Sequence, residues 1–299
     1  MSMNRESYPV IKLSKMNTYF VIVTCRNSEH NIKQSLSSLK DQTVKPEYII
    51  VINDGSTDRT QEILNDIQKN SNGSLHVIQH PDWGYDVNRT VKNWNEAIKL
   101  TKDKDLQKTE YHLIATDDTV YSNDYAEKII AFMDSNLQVA VVSGSYARDK
   151  PSMPHGAGRF VRNSFFQNAS WQGYYPEQMG FESAILYEAN SCGFATYVLN
   201  EAKFQHTRPL GRVHKFREFG ASMRTLGYHP LFAIARFLKY FVTGKVTGRI
   251  GSLYMLYYYI TYRPKSEGYD SMYGKKIRHH VRQKQINKLK DILSLHGSE

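Results

Sequence analysis

The stretch Tyr48-Ile49-Ile50-Val51-Ile52-Asn53-Asp54-Gly55-Ser56-Thr57-Asp58-Arg59-Thr60 decides how this chain folds. Its first five residues are apolar and mostly β-branched, with no polar alternation, so they read as a strand covered on both faces. The run then breaks into Asn-Asp-Gly-Ser-Thr-Asp, residues whose side chains and backbone freedom favour a turn. From about Arg59, Ile63, Leu64 and Ile67 recur at helical spacing. Buried strand, polar turn and helix together form the opening of a βαβ unit.

The same grammar extends in both directions. Residues 19 to 25 form a second unbroken apolar run, followed by polar Asn27 and Ser28 and a helix with Ile32, Leu36 and Leu39 inward, closed by Pro46. Leu75 to Gln79 reads as a strand, and 88 to 101 as a helix with Val91, Trp94, Ala97 and Ile98 on one stripe. Tyr111 to Ala115 is a further strand, halting at Thr116-Asp117-Asp118. Val139 to Ser143 and Ala195 to Leu199 are strand candidates, Glu182 to Ser191 is a helix with Gly193 as its cap, and 144 to 180 reads as a long loop region. Alternating strands and helices predict an α/β fold with a mostly parallel central sheet and helices on both faces. Ligands of such sheets lie beyond the carboxyl ends of the strands, where Asn27, Asp54, Asp117 and Asp118 all fall.

Size and charge narrow the class. A chain of 299 residues can bury one large domain with an appendage. Cys25 and Cys192 are the two cysteines and lack any C-x-x-C spacing, which argues against a disulfide scaffold or a zinc site and suits a reducing cytoplasm. Residues 1 to 15 have no apolar core, so no export signal is expected there. Residues 206 to 299 hold 18 Lys+Arg against 5 Asp+Glu, a net +13, while the rest of the chain nets −3. The last third is therefore expected to meet a polyanion, either phospholipid headgroups or nucleic acid.

Paired carboxylates at a strand end suit a hard divalent cation, because Mg²⁺ or Mn²⁺ prefers oxygen ligands and keeps positions open for phosphate. The clusters taken together, Tyr19 to Thr60 above all, closely resemble the N-terminal half of family 2 glycosyltransferases. The resemblance runs on through Asn95 in Trp-Asn-Glu-Ala-Ile, the strand ending Ala115-Thr-Asp-Asp, Gly-Phe-Glu-Ser at 180 to 183, and His206-Thr-Arg-Pro, and so covers about residues 19 to 210. It implies a Rossmann-like sheet of the glycosyltransferase A type and an inverting transfer of one sugar from a nucleotide-diphosphate sugar to an acceptor hydroxyl.

Carried over residue by residue, the resemblance places Thr24, Asn27, Asp54, Asn95, Asp117 and Asp118 at the donor nucleotide. Asp117 matches the last Asp of the family's D-x-D motif, while the first is replaced by Ala115, so Asp118 or His206 would complete the ligands of Mn²⁺ or Mg²⁺. Glu182 matches the Glu of the family's Glu-Asp pair, and with Ser183 in place of the Asp it becomes the candidate general base. Arg159 and Arg162 are expected on a mobile, Gly-rich lid facing the diphosphate. Trp171, with Tyr174 and Tyr175, is a candidate sugar-stacking platform beside Ser183.

The expected organisation is an N-terminal extension over 1–17, a catalytic domain over 18–210 divided into a nucleotide half (18–120) and an acceptor half (121–210), and a basic aromatic helical region over 211–299. Leu231 to Val242 and Leu253 to Ile260 carry apolar stripes too short to span a bilayer, which suit an interfacial helix. Lys275 to Leu295 reads as an amphipathic basic helix. The expected partners are the sugar-nucleotide donor, a glycan or lipid-linked acceptor and the inner face of the cell membrane, rather than nucleic acid. The competing readings are a sugar nucleotidyltransferase, disfavoured because the first strand lacks a Gly-rich basic loop after it, and a non-catalytic membrane- or nucleic-acid-binding module on a degenerate transferase scaffold.

Overall fold

The computed structural model describes residues 18–86, 89–103, 109–146, 153–208, 216–245, 247–264 and 272–295. Parallel strands β1 (Tyr19–Cys25), β2 (Tyr48–Asn53), β3 (Leu75–Gln79) and β4 (Tyr111–Thr116) alternate with helices α1 (Ile32–Lys40), α2 (Thr60–Lys69) and α3 (Arg89–Asp103). Then come β5 (Thr119–Tyr121), α4 (Tyr125–Ser135), β6 (Val139–Tyr146), β7 (Arg159–Arg162), α5 (Asn163–Asn168), α6 (Phe181–Ser191) and β8 (Ala195–His206). Among the described residues these eight strands form one sheet in the order β3-β2-β1-β4-β7-β6-β8-β5, with β5 and β7 antiparallel to their neighbours.

Alternation of side chains along β1 builds a core on each face. Tyr19, Val21, Val23 and Cys25 join α1, α2 and α4 on one side. Phe20 and Ile22 join α3, α5 and α6 on the other. A strand buried on both sides has no polar face to show, which is why β1 and β2 read as continuous apolar runs.

Two features of the order locate the ligand crevice. From β1 the chain winds outward through β2 and β3, then crosses back to place β4 on β1's other side, so the switch point lies between β1 and β4. Only Asp117 and Asp118 separate β4 from β5, yet β5 pairs with β8 at the far edge. The sheet therefore curls, and the end of β8 returns over the carboxyl end of β4.

Several expectations need amending. The segment read as a loop over 144–180 contains β7 and α5, and its buried Phe160, Val161, Phe165 and Phe166 belong to the core. β5 and α4 were not anticipated, and β8 runs seven residues past the expected Leu199. The N-terminal extension 1–17 lies outside the described residues.

Helices α7 (Phe216–Thr225), α8 (Pro230–Thr243), α9 (Gly248–Thr261) and α10 (Lys275–Leu295) form the C-terminal region. They share a core with α6: Ala184 and Tyr187 meet Met223, Ala233, Met255, Tyr259, Ile277 and Val281. α9 crosses α7 at Gly220, where a Cβ would collide with the Met255 carbonyl oxygen and come within 2.7 Å of the Tyr259 nitrogen. No helix among the described residues is long and apolar enough to cross a membrane.

Candidate active site

The parallel register sets the first two clusters side by side. Cys25 is paired with Asn53 and Thr24 with Thr116, so Asp54 follows β2 and Asp117 follows β4 on either side of the end of β1. The loop leaving β1 ties them together. The Asn27 amide donates to Ser56 Oγ at 3.0 Å, Asn27 Oδ1 accepts from the Thr57 amide at 2.8 Å, and Ser28 Oγ donates to Asp117. Asn27 reaches this position with φ of +50°, a left-handed conformation that asparagine tolerates better than most residues. The Cys25 thiol registers the convergence: burial raises its pKa, and the charges of Asp117, Asp58 and Asp54 raise it further.

Asp54 is held from α3. Arg89 donates from Nε to Oδ1 at 2.6 Å and from Nη2 to Oδ2 at 3.1 Å, a two-point grip on a carboxylate only 9% exposed. The hydrogen bonds to Asp54 raise the pKa of Arg89. Arg26 donates to the backbone oxygens of Asp54 and Gly55 and reaches Asp82 Oδ1 at 2.6 Å. These contacts fix the turn after β2 before any ligand arrives.

Asp117 and Asp118 face the returning end of β8. Arg208 donates to Asp117 Oδ2 at 2.7 Å and lies 3.5 Å from Asp118 Oδ2. His206 Nδ1 lies 3.5 Å from Asp118 Oδ1 and 3.1 Å from Thr119 Oγ1. The two carboxyls titrate apart. Burial raises Asp117, which is 7% exposed, against the lowering effects of Ser28 and Arg208. Burial also works to raise Asp118, but hydrogen bonding to His206 and Thr116 and the charge of Arg208 bring it below the usual carboxylate range.

Glu182 stands exposed in the first turn of α6, entered through Gly180 at φ of +90°. A Cβ on Gly156 would lie 3.0 Å from its Oε1, so the carboxylate rests against the segment feeding β7. That segment meets the sheet at the end of β4, where the Gly158 amide donates to the Ile114 carbonyl at 2.9 Å. Glu182 thus sits toward the same end of the sheet as the acidic turns. Ser183 is half-buried, and its amide donates to the Gly180 carbonyl at 3.0 Å.

Five other expected residues complete the picture. Arg159 and Arg162 are on a strand, not a mobile lid. Arg159 is 2% exposed and donates to the Glu182 carbonyl at 2.8 Å, bracing α6 from below. Arg162 pairs with Tyr111 at the opposite end of β4 and donates to the Met133 carbonyl at 2.7 Å, away from any diphosphate at the rim. Asn95 spends both ends of its amide on the Tyr175 backbone, at 2.9 and 2.7 Å, so it anchors the aromatic segment. Trp171 packs edge-on to Tyr273 and, with Asn95, Tyr174 and Tyr175, lines an open cleft of about 780 Å³. Thr24 Oγ1 is buried without a hydrogen-bond partner at the end of β1.

Sequence reasoning missed Arg26, Arg89 and Arg208. Arg208 lies two residues beyond His206 in a motif already singled out, and its placement was the available signal. Arg89 is 35 positions from Asp54, and no local pattern links them.

The donors at the rim, two carboxylates and an imidazole, suit Mn²⁺ or Mg²⁺ in kind. They already hold a cationic group, Arg208, between the carboxylates. Among the described residues, no three of His, Cys, Asp and Glu are grouped to hold a metal unaided. Phosphate oxygens of a ligand would have to complete the shell.

The chain is similar to known proteins in these same elements. A family model described as Glycosyl transferase family 2 matches residues 20–194. The poly-beta-1,6-N-acetyl-D-glucosamine synthase of Staphylococcus epidermidis is 31% identical over 125 residues, 42% of this chain and 27% of that protein. An uncharacterized glycosyltransferase of Haemophilus influenzae is 29% identical over 126 residues, 42% of this chain and 35% of that protein. The chain thus spans about a third or less of these curated relatives. Among solved structures, S. aureus TarS 1-349 in complex with UDP superposes with a TM-score of 0.52 at 18% identity, over 81% of this chain and 70% of that one. The mannosyltransferase PcManGT from Pyrobaculum calidifontis, in complex with GDP-Man and Mn2+, gives 0.56 at 13% identity, over 88% and 84%. At these identities the structural likeness shows the fold, which is of the glycosyltransferase A type.

Proposed function

The chain belongs to glycosyl transferase family 2, and from that premise we propose that it moves a single sugar from a nucleotide-diphosphate donor to an acceptor hydroxyl with inversion at the anomeric carbon. The observation that carries this reading is the convergence of Asp54, Asp117 and Asp118 on the end of β1, with His206 at the end of β8 and Arg208 just beyond it facing Asp117 and Asp118. Asp54 and Asn27 take the nucleoside, with the two-point contact from Arg89 keeping the Asp54 carboxylate aimed. Thr24 Oγ1 is a further contact at the same strand end. Asp117, with Asp118 or His206, would hold a divalent cation, which when bound would neutralise the charge of the departing diphosphate.

Transfer itself asks little covalent chemistry of the protein. Glu182 takes the proton of the acceptor hydroxyl as that oxygen attacks the anomeric carbon, and the nucleoside diphosphate leaves from the opposite face. The Arg159 contact with the Glu182 carbonyl fixes the turn that carries this carboxylate, a positioning role. Trp171 and Ser183 flank the acceptor side. The acceptor is a glycan or a lipid-linked hydroxyl at the inner face of the cell membrane.

Thermal-shift measurements against UDP-, GDP- and dTDP-sugars, each with and without Mn²⁺, test the reading. Stabilisation by one nucleotide class that depends on the metal is the expected outcome. Absence of stabilisation by every nucleotide would refute it.

A further inference from the structure

Helices α8 and α9 pack side by side, and each leaves a stripe of large apolar side chains in water. On α8, Leu231, Ile234, Leu238 and Val242 are 63, 45, 51 and 72% exposed, at the three- and four-residue spacing of one helical stripe. On α9, Ile250, Leu253, Tyr257 and Ile260 are 71, 50, 58 and 58% exposed and form a second stripe. Soluble surfaces scatter such residues singly, and a contiguous patch marks a partner. The opposite faces are spoken for: Ala233, Met255 and Tyr259 are in the core shared with α6, and Gly220 lets α7 close directly onto α9. The apolar stripes are therefore held outward by a rigid foundation and cannot turn in.

Charge identifies the occupant. Residues 230 to 263 contain five Lys and Arg and no Asp or Glu. Lys239, Lys245, Arg249 and Arg263 are exposed. A second copy of the same face would set these cations against their own kind. Apolar stripes flanked by cations and tyrosines match an anionic lipid surface, with aliphatic side chains below the headgroups and Lys and Arg among the phosphates.

We propose that the α8–α9 pair is a membrane-docking face that lies in the headgroup region of an anionic bilayer without spanning it. This narrows the membrane location proposed above to one surface, and it stands independently of the transfer chemistry.

Flotation of the full chain with phosphatidylcholine vesicles, with and without phosphatidylglycerol, tests it. The chain should float with the anionic vesicles and lose part of its binding at high salt. Leu238→Glu with Leu253→Glu should lower the partition by about tenfold per side chain removed from lipid, and Lys239→Glu with Arg249→Glu should abolish the preference for anionic lipid. A melting temperature unchanged in both pairs, read without nucleotide, would show an intact fold, and nucleotide-dependent stabilisation is scored separately as the test of the transfer reading. Should a variant fail to fold, a photoactivatable phospholipid should label α8 and α9 in the wild-type chain. Failure to float, labelling confined to other elements, or self-association abolished by the Leu pair would each overturn the proposal.

Discussion

Arg208 and Asp117 are joined at 2.7 Å, so the carboxylate that ends β4 is countered by a guanidinium from the far edge of the curled sheet. A cation taken up by Asp117 must share or displace that contact, and the diphosphate of the proposed donor is the anion to which Arg208 would turn.

The first prediction concerns this pair. Arg208→Ala should raise the affinity for Mn²⁺ alone by about tenfold, the low end for a charge-assisted hydrogen bond at a partly solvated site, while lowering turnover. Titration followed by Mn²⁺ electron paramagnetic resonance measures the first effect. Asp117→Ala should remove the metal dependence of nucleotide stabilisation, and an unchanged response in that variant would place the cation elsewhere.

Glu182→Gln keeps shape and hydrogen bonding but cannot take a proton. Donor binding should persist, and turnover should fall by about 10²- to 10⁴-fold. Substantial residual turnover would remove Glu182 as the base.

Arg89→Ala leaves Asp54 as a nearly buried carboxylate without its main partner. The expected cost is about 3 kcal/mol of stability, read as a lower melting temperature, together with a raised KM for the donor. A KM equal to that of the wild type would show that Asp54 does not meet the nucleotide.

The strands that position this site were legible because burial on both faces forces an unbroken apolar run, as in β1 and β2. The acidic turns were legible for the complementary reason, since a parallel sheet ends all its strands at one crevice. β7 was not, because Arg159-Phe160-Val161-Arg162 places charged residues at both ends of a four-residue strand, and their guanidinium groups donate to carbonyls distant in sequence. β5 has three residues and no pattern of its own, yet its pairing with β8 brings His206 and Arg208 to the carboxylates. Arg89 and Arg208 owe their roles to contacts that only the folded chain creates.

Acid should weaken the fold through His112. Asn163 Nδ2 donates to the Thr109 carbonyl, so Asn163 Oδ1 accepts from His112 Nδ1, and Nε2 is left to accept from the Tyr175 hydroxyl. This neutral ring is wholly buried, and burial lowers its pKa from 6.5 to about 4. The unfolded chain binds the proton first on acidification, so stability is full above pH 6.5 and is lost as the pH falls toward about 4. The loss amounts to about 3 kcal/mol at 1.4 kcal/mol per pH unit. Urea midpoints across this range should fall for the wild type and stay flatter in His112→Gln.

The core shared by α6 with α8 and α9 turns the C-terminal region into a standoff. Glu182 lies at one end of an eleven-residue helix, about 16 Å long, whose flank is bolted to the pair of helices proposed to rest on lipid. The height of the reacting hydroxyl above the bilayer would then be set by packed protein and not by a tether. Acceptors whose sugar stands at that height should be glycosylated faster than shorter or longer homologues on the same vesicles, while in detergent solution the length preference should disappear.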